Sequence, residues 1–216
     1  MKNIDDLVES AADLAERGLS KGEIADELNV SRETASWLVE RSGTGTTPKE
    51  VPQSGPHDIH VDWSALGRDS NRLHHIGCAM ADLLSKQGED VDLTIGIEKA
   101  GAPIATTVAR NLDTDLGTYT PTKHQWDDDD SGTTDGTFSR NFAQIRDRDC
   151  YVVDDTITSG NTMSETVEAI REQGGNPVAC VVLADKRGLD DIRGVPVYSL
   201  LQVIRVGSDE DEELEE

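Results

Sequence analysis

The chain has 216 residues, enough for one ordinary domain plus a small second one. Asp and Glu total 43 against 20 Lys and Arg, a net charge of −23, and aromatics are only 4%. No apolar run approaches about 18 residues, so no membrane-spanning helix is expected, and Met1 to Asp6 turns acidic with no apolar stretch behind it, unlike a secretory signal.

Taken alone, such acidity argues against nucleic acid as a partner, because phosphate contacts draw on positive charge. The acidity runs along the whole chain, however, and Lys supplies only 7 of the 20 basic residues. That surface suits a cytoplasm of molar salt, where charges are screened within about 3 Å. Cys78, Cys150 and Cys180 are far apart and flanked by apolar residues. They read as free thiols, neither a disulfide framework nor a metal site.

Residues 1–42 read as a three-helix unit. Ile4, Leu7, Val8, Ala11, Leu14 and Ala15 recur at helical spacing, and Gly18 stops that helix. Ser20 to Glu23 has the form of a capping box opening a second helix, with Ile24, Ala25 and Leu28 inward. Asn29-Val30 makes a tight turn, and Ser31 caps a third helix carrying Ala35, Leu38 and Val39 inward. Residues 43–57, dominated by Gly, Pro, Ser and Thr, read as a linker.

Residues 58–207 alternate helix and strand. Helices are expected over about 68–87, 102–112 and 161–174, and strands over 91–97, 116–120, 150–153, 178–184 and 195–203. Apolar strands between helices predict an α/β fold with a parallel sheet covered on both faces. Residues 122–141 form a long polar insertion of lid type, containing Asp127 to Asp130. Residues 208–216 are too acidic to build a core and read as a disordered tail.

The sharpest signal is Tyr151 to Thr162. An apolar strand leads into Asp154 and Asp155, and then Thr158, Ser159, Gly160, Asn161 and Thr162 open an amphipathic helix. Unpaired N–H groups at that helix start, with the Thr and Ser hydroxyls, make a nest for a phosphate. Gly160 admits close backbone approach, and the two carboxylates can accept hydrogen bonds from sugar hydroxyls. A sugar phosphate spans that gap.

These residues resemble the phosphoribosyl pyrophosphate (PRPP) signature of type I phosphoribosyltransferases, over about 58–206. Thr156 is polar where that family usually has an aliphatic residue. The resemblance assigns Asp154 and Asp155 to the ribose hydroxyls and Thr158 to Thr162 to the 5-phosphate. It also assigns Glu98, Lys99, Ala100 and Gly101 to the pyrophosphate loop. It implies that Mg²⁺ accompanies a phosphorylated ligand. Orotate transferases close a basic hood over pyrophosphate. Here only Lys123 and His124 precede the four Asp residues, so the positive charge a departing pyrophosphate needs is depleted. Binding without turnover is the expectation. A working transferase using Lys99, Lys123 and His124 is the alternative.

Residues 18–41 resemble a helix-turn-helix DNA-binding unit, although residues 1–48 hold five basic against ten acidic residues. Dimerisation or docking are other uses of such a unit. Its recognition helix is expected to expose Ser31, Arg32, Glu33, Thr34, Ser36 and Trp37 near its N-terminus, with Trp37 equally well placed for burial against the first helix. In molar salt counterion release drives little, so groove contacts carry a larger share of binding. The two units together are similar to the GfcR family of haloarchaeal regulators. That resemblance implies a cytoplasmic homodimer that binds DNA, senses a phosphorylated metabolite and controls sugar-catabolic genes.

Overall fold

The computed structural model describes residues 4–43, 58–122 and 136–204. Most of the expected linker, Lys123, His124, the four-Asp run and the acidic tail lie outside the described residues.

Three helices come first: α1 (Ile4–Glu16), α2 (Lys21–Glu27) and α3 (Arg32–Arg41). Local chemistry sets their limits. Gly18 takes φ +86° after α1. The Ser20 hydroxyl accepts from the Glu23 amide while Glu23 reaches back to the Ser20 amide, completing the capping box. Asn29 takes φ +51°, so the chain reverses in two residues. Ser31 then caps α3 by accepting from Thr34 N–H. Ala11, Leu14, Ile24, Leu28, Ala35 and Leu38 close into one small core.

The α/β unit follows as α4 (Ser64–Gly67), α5 (Ser70–Ser85), β1 (Leu93–Ile97), α6 (Gly101–Leu112), β2 (Asp115–Thr120), β3 (Thr137–Phe138), β4 (Asp149–Ile157), α7 (Asn161–Glu172), β5 (Asn176–Asp185), β6 (Asp191–Ile192) and β7 (Val195–Gln202). Strand order is β3-β2-β1-β4-β5-β7-β6. The central five strands pair in parallel. The sheet as a whole is mixed, because the two-residue strands β3 and β6 add antiparallel edges. Strands that short carry no alternation for a sequence to display.

β4 shows how the sheet holds its two layers. Cys150 and Val152 face one cluster with Met163, Val167 and Ile170 of α7. Tyr151 and Val153 face the other, with Met80 and Leu84 of α5 and Ile104 and Val108 of α6. This is the period-2 alternation of a strand covered on both sides. Cys150 and Cys180 are free and buried, and burial pushes both thiols up to about 12.

The topology places the site. From β1 the chain crosses to β2 on one side, then returns to add β4 on the other. That reversal opens a crevice beyond the carboxyl ends of β1 and β4, where open α/β sheets bind ligands.

Candidate functional site

Two helix starts meet in that crevice. After β1, the Glu98–Lys99 peptide is cis, and Ala100 leads into α6 with no side-chain cap. After β4, Gly160 at φ +83° leads into α7, again with no side-chain cap. By contrast α2, α3 and α5 are capped by Ser20, Ser31 and Asp69. Both helix starts at this cleft lack a capping side chain, the Asn161 amide making only a 3.4 Å bond to the Ser159 hydroxyl, which gives the cleft anion-binding character.

The two loops also touch from behind. A Cβ on Gly101 would lie 2.6 Å from the Val153 carbonyl oxygen and 2.9 Å from Asp154 Cα. Glycine therefore lets α6 start directly against β4.

The structure brings most of the expected ligand residues together. Glu98, Lys99, Ala100, Asp154, Asp155, Thr158, Ser159, Gly160 and Thr162 line one cleft. Gly101 is buried behind it. Asn161 lines a different cavity, with Tyr119 and Glu165, so it is not brought to the cleft. The Glu98 carboxylate accepts from the Thr120 hydroxyl at 2.8 Å, which ties the loop after β1 to β2. The carboxylate pair lies inside a strand: β4 continues beyond Val153 to Ile157, paired with Asp185 of β5. Asp154 accepts from the Asp155 amide at 2.9 Å. Asp155 accepts from the Trp63 indole N–H at 2.9 Å and from the Thr156 hydroxyl at 3.3 Å. Burial pushes the Asp155 carboxyl up, against the opposing pull of Asp154 and these donors.

Sequence reasoning missed the other wall. Glu23, Asp26, Glu27 and Asn29 of the N-terminal helical unit line the same cleft. Lys99 pairs with Glu23 at 3.8 Å. With its amide oriented to satisfy both neighbours, Asn29 donates to Asp155 at 3.2 Å and accepts from Trp63 at 3.1 Å. Trp63 and Asp155 are 92 residues apart in sequence, so no local pattern announces the contact.

Below this wall a buried ion pair joins Lys186, just after β5, to Asp58 at 2.8 Å, with side chains only 5% and 11% exposed. Asp185 holds that turn by accepting from the Arg187 and Leu189 amides, both at 2.8 Å. Asp58 also accepts from the Ser31 and Ile59 amides. Burial alone would raise Asp58, but the Lys186 ammonium and the two amides outweigh it and hold the carboxyl at about 2. Its ordinary value is 3.8. A depressed carboxyl stabilises the folded form above the ordinary value, and that contribution is lost as pH falls from about 4 to about 2. Two units correspond to about 2 to 3 kcal/mol. Denaturant unfolding in molar KCl is therefore expected to show a smaller loss of stability between pH 4 and pH 2 in Asp58→Asn than in the wild type. Equal slopes would remove Asp58 from the acid response.

The expected DNA-facing residues divide. Arg32 and Glu33 are exposed. Thr34 is buried, against expectation, with its hydroxyl on Ser31 Oγ at 2.9 Å, because the N-cap turns it inward. Ser31 is half-buried as the cap. Ser36 is held by Lys21. Trp37 packs on the small helical core, with the Arg41 guanidinium 5.0 Å over its ring.

Comparison with known proteins gives a consistent result. Residues 62–207 match the family described as phosphoribosyl transferase domain. The chain is 84% identical to the transcriptional regulator GfcR of Haloarcula marismortui, over 98% of this chain and all of that one. It is 61% identical to GfcR of Haloferax volcanii, over 96% and 99%. Its fold is like that of orotate phosphoribosyltransferase from Aeropyrum pernix, with TM-score 0.54 and 20% identity over 77% of this chain and 92% of that one. It is also like the Mycobacterium tuberculosis orotate phosphoribosyltransferase in complex with PRPP, with TM-score 0.52 and 19% identity over 66% and 80%. The chain belongs to the GfcR family of transcriptional regulators and carries their phosphoribosyl transferase domain.

Proposed function

We propose that this regulator binds DNA through its N-terminal helix-turn-helix and senses a phosphorylated sugar, PRPP or a relative of it, in the cleft between β1 and β4. The observation carrying this reading is the pairing of two helix starts without side-chain caps with Asp154 and Asp155 in one cleft. Helix starts suit the ligand's phosphates, and carboxylates suit its hydroxyls. The M. tuberculosis enzyme of the same fold was solved with PRPP.

Mg²⁺ fits as a companion of the ligand. Among the described residues no group of three His, Cys, Asp or Glu side chains is arranged to hold a metal. Mg²⁺ is commonly held by one or two carboxylates plus substrate phosphates, and Asp154 and Asp155 would supply that share.

On this reading the protein acts in the cytoplasm as a homodimer, the state that matches two-fold DNA sites. Among the described residues no helix is long and apolar enough to cross a membrane. Its targets are sugar-catabolic genes, by resemblance to its family.

The test uses the full chain in molar KCl with PRPP, Mg²⁺ and orotate or a purine base. PRPP binding without consumption of base is the expected result. Turnover at ordinary enzyme rates, about 1 s⁻¹ or more, would overturn the sensor-only reading in favour of a transferase. In parallel, Arg32→Ala is expected to weaken retention on a selected duplex by about 1 to 3 kcal/mol. Unchanged retention would turn the helical unit into a docking module.

A further inference from the structure

The cleft is already occupied on one side by the chain's own N-terminal helices. Its volume is about 90 Å³. Ligand pockets run to about 300–1,000 Å³. Glu23, Asp26, Glu27 and Asn29 form the opposite wall and take up space that a sugar bearing phosphates would need.

Polar ties hold that wall in place. Trp63 donates to Asp155 at 2.9 Å. Lys186 donates to the Asn29 carbonyl at 3.0 Å and pairs with Asp58, which also accepts from the Ser31 amide. The His60 ring meets the Leu28 carbonyl. The strap 58–63 is thus bonded to both the helical unit and the α/β unit. Glu23 pairs with Lys99 across the cleft, while Asp26 and Glu27 share it with Asp154 and Asp155, a like-charge arrangement that the ties must outweigh.

The same docking sets the α/β unit beside the other functional surface, although Arg32 and Glu33 stay exposed. Ser31 and Glu33, in the first turn of α3, line a gap of about 600 Å³ against Thr158, Lys186 and Arg187. A helix-turn-helix inserts that turn into the major groove, and the backbones flanking a groove about 12 Å wide would meet the α/β unit at Thr158, Lys186 and Arg187.

We propose that the docked helical unit is a plug: it and a sugar phosphate compete for the cleft, and ligand entry releases the first turn of α3 to DNA. The proposal rests on the sugar-phosphate reading of the cleft and adds its regulation. It fixes the sign. Ligand raises DNA affinity, and by reciprocity DNA raises ligand affinity by the same factor.

The test compares the full-length wild type with Asp58→Ala and the isosteric Asp58→Asn in molar KCl, the second retaining shape should the first fail to fold. The probes are PRPP, by calorimetry, and a duplex selected by the protein from a random pool. Weakening the tie at Asp58 raises the undocked fraction, so apparent affinity rises with it. The expected result is at least a tenfold gain in PRPP affinity and at least a tenfold gain in ligand-free DNA affinity. PRPP should raise DNA affinity strongly in the wild type and little in the variants. Wild-type affinities in both variants would overturn the plug while leaving the sugar-phosphate reading intact. If PRPP binds neither wild type nor variants, the sugar-phosphate reading fails and the DNA arm decides: a gain supports the plug, and no gain overturns it.

Discussion

Leu38→Ala is expected to abolish selective DNA binding at room temperature and to leave PRPP binding in place or stronger. Leu38 is 1% exposed at the centre of the small core formed by α1, α2 and α3. Truncating a buried leucine costs about 2 to 5 kcal/mol through lost transfer energy and the cavity left behind. A unit of this size seldom has more than about 3 to 5 kcal/mol to lose. The α/β unit has its own two clusters, built on both faces of the sheet, and neither contains a residue of α1 to α3. Calorimetric unfolding should then lose only the transition of the helical unit. If the α/β transition falls by the same amount, the two units fold as one and the expectation fails.

The local chemistry of the helical unit is legible because each device occupies a few consecutive residues. The capping box at Ser20 and Glu23, the positive-φ turn at Asn29 and the cap at Ser31 all stand where their residue types place them. The cleft wall from Asp154 to Thr162 is legible for the same reason, being one continuous segment, although Asn161 turns to another cavity. Its boundary is less so. Asp154, Asp155 and Thr156 are polar and resemble a loop, yet β4 runs through them because β5 offers partners as far as Asp185. Thr34 has a polar side chain suited to DNA, but its place three residues after the cap directs it onto Ser31. The largest omission is the wall made by α2 and its turn. It depends on contacts such as Trp63 to Asp155 and Lys186 to Asn29, across 92 and 157 residues. Periodicity and motif spacing report on neighbours along the chain, and these residues become neighbours only after both units have folded.

Asp155→Asn is expected to lower PRPP affinity about a hundredfold without lowering stability. A hydrogen bond to a charged acceptor is worth about 1.5 to 3 kcal/mol. Weakening two of them, to adjacent sugar hydroxyls, removes about 3 kcal/mol, which is roughly a hundredfold in affinity. The free protein feels the opposite effect. Burial raises the Asp155 carboxyl, so its anion is carried at a desolvation cost. The amide carries no such charge, and its oxygen still accepts from Trp63. A raised carboxyl destabilises the fold above its ordinary value, and that penalty fades as pH falls through the raised value and is gone below the ordinary one. The stability advantage of Asp155→Asn should therefore be largest near neutrality and shrink in acid. Calorimetric titration with PRPP and denaturant unfolding, both in molar KCl, measure the two effects separately. Unchanged affinity would show that Asp155 does not meet the sugar. Lost stability would show that its charge serves the fold, and the opposed signs expected here would then reverse.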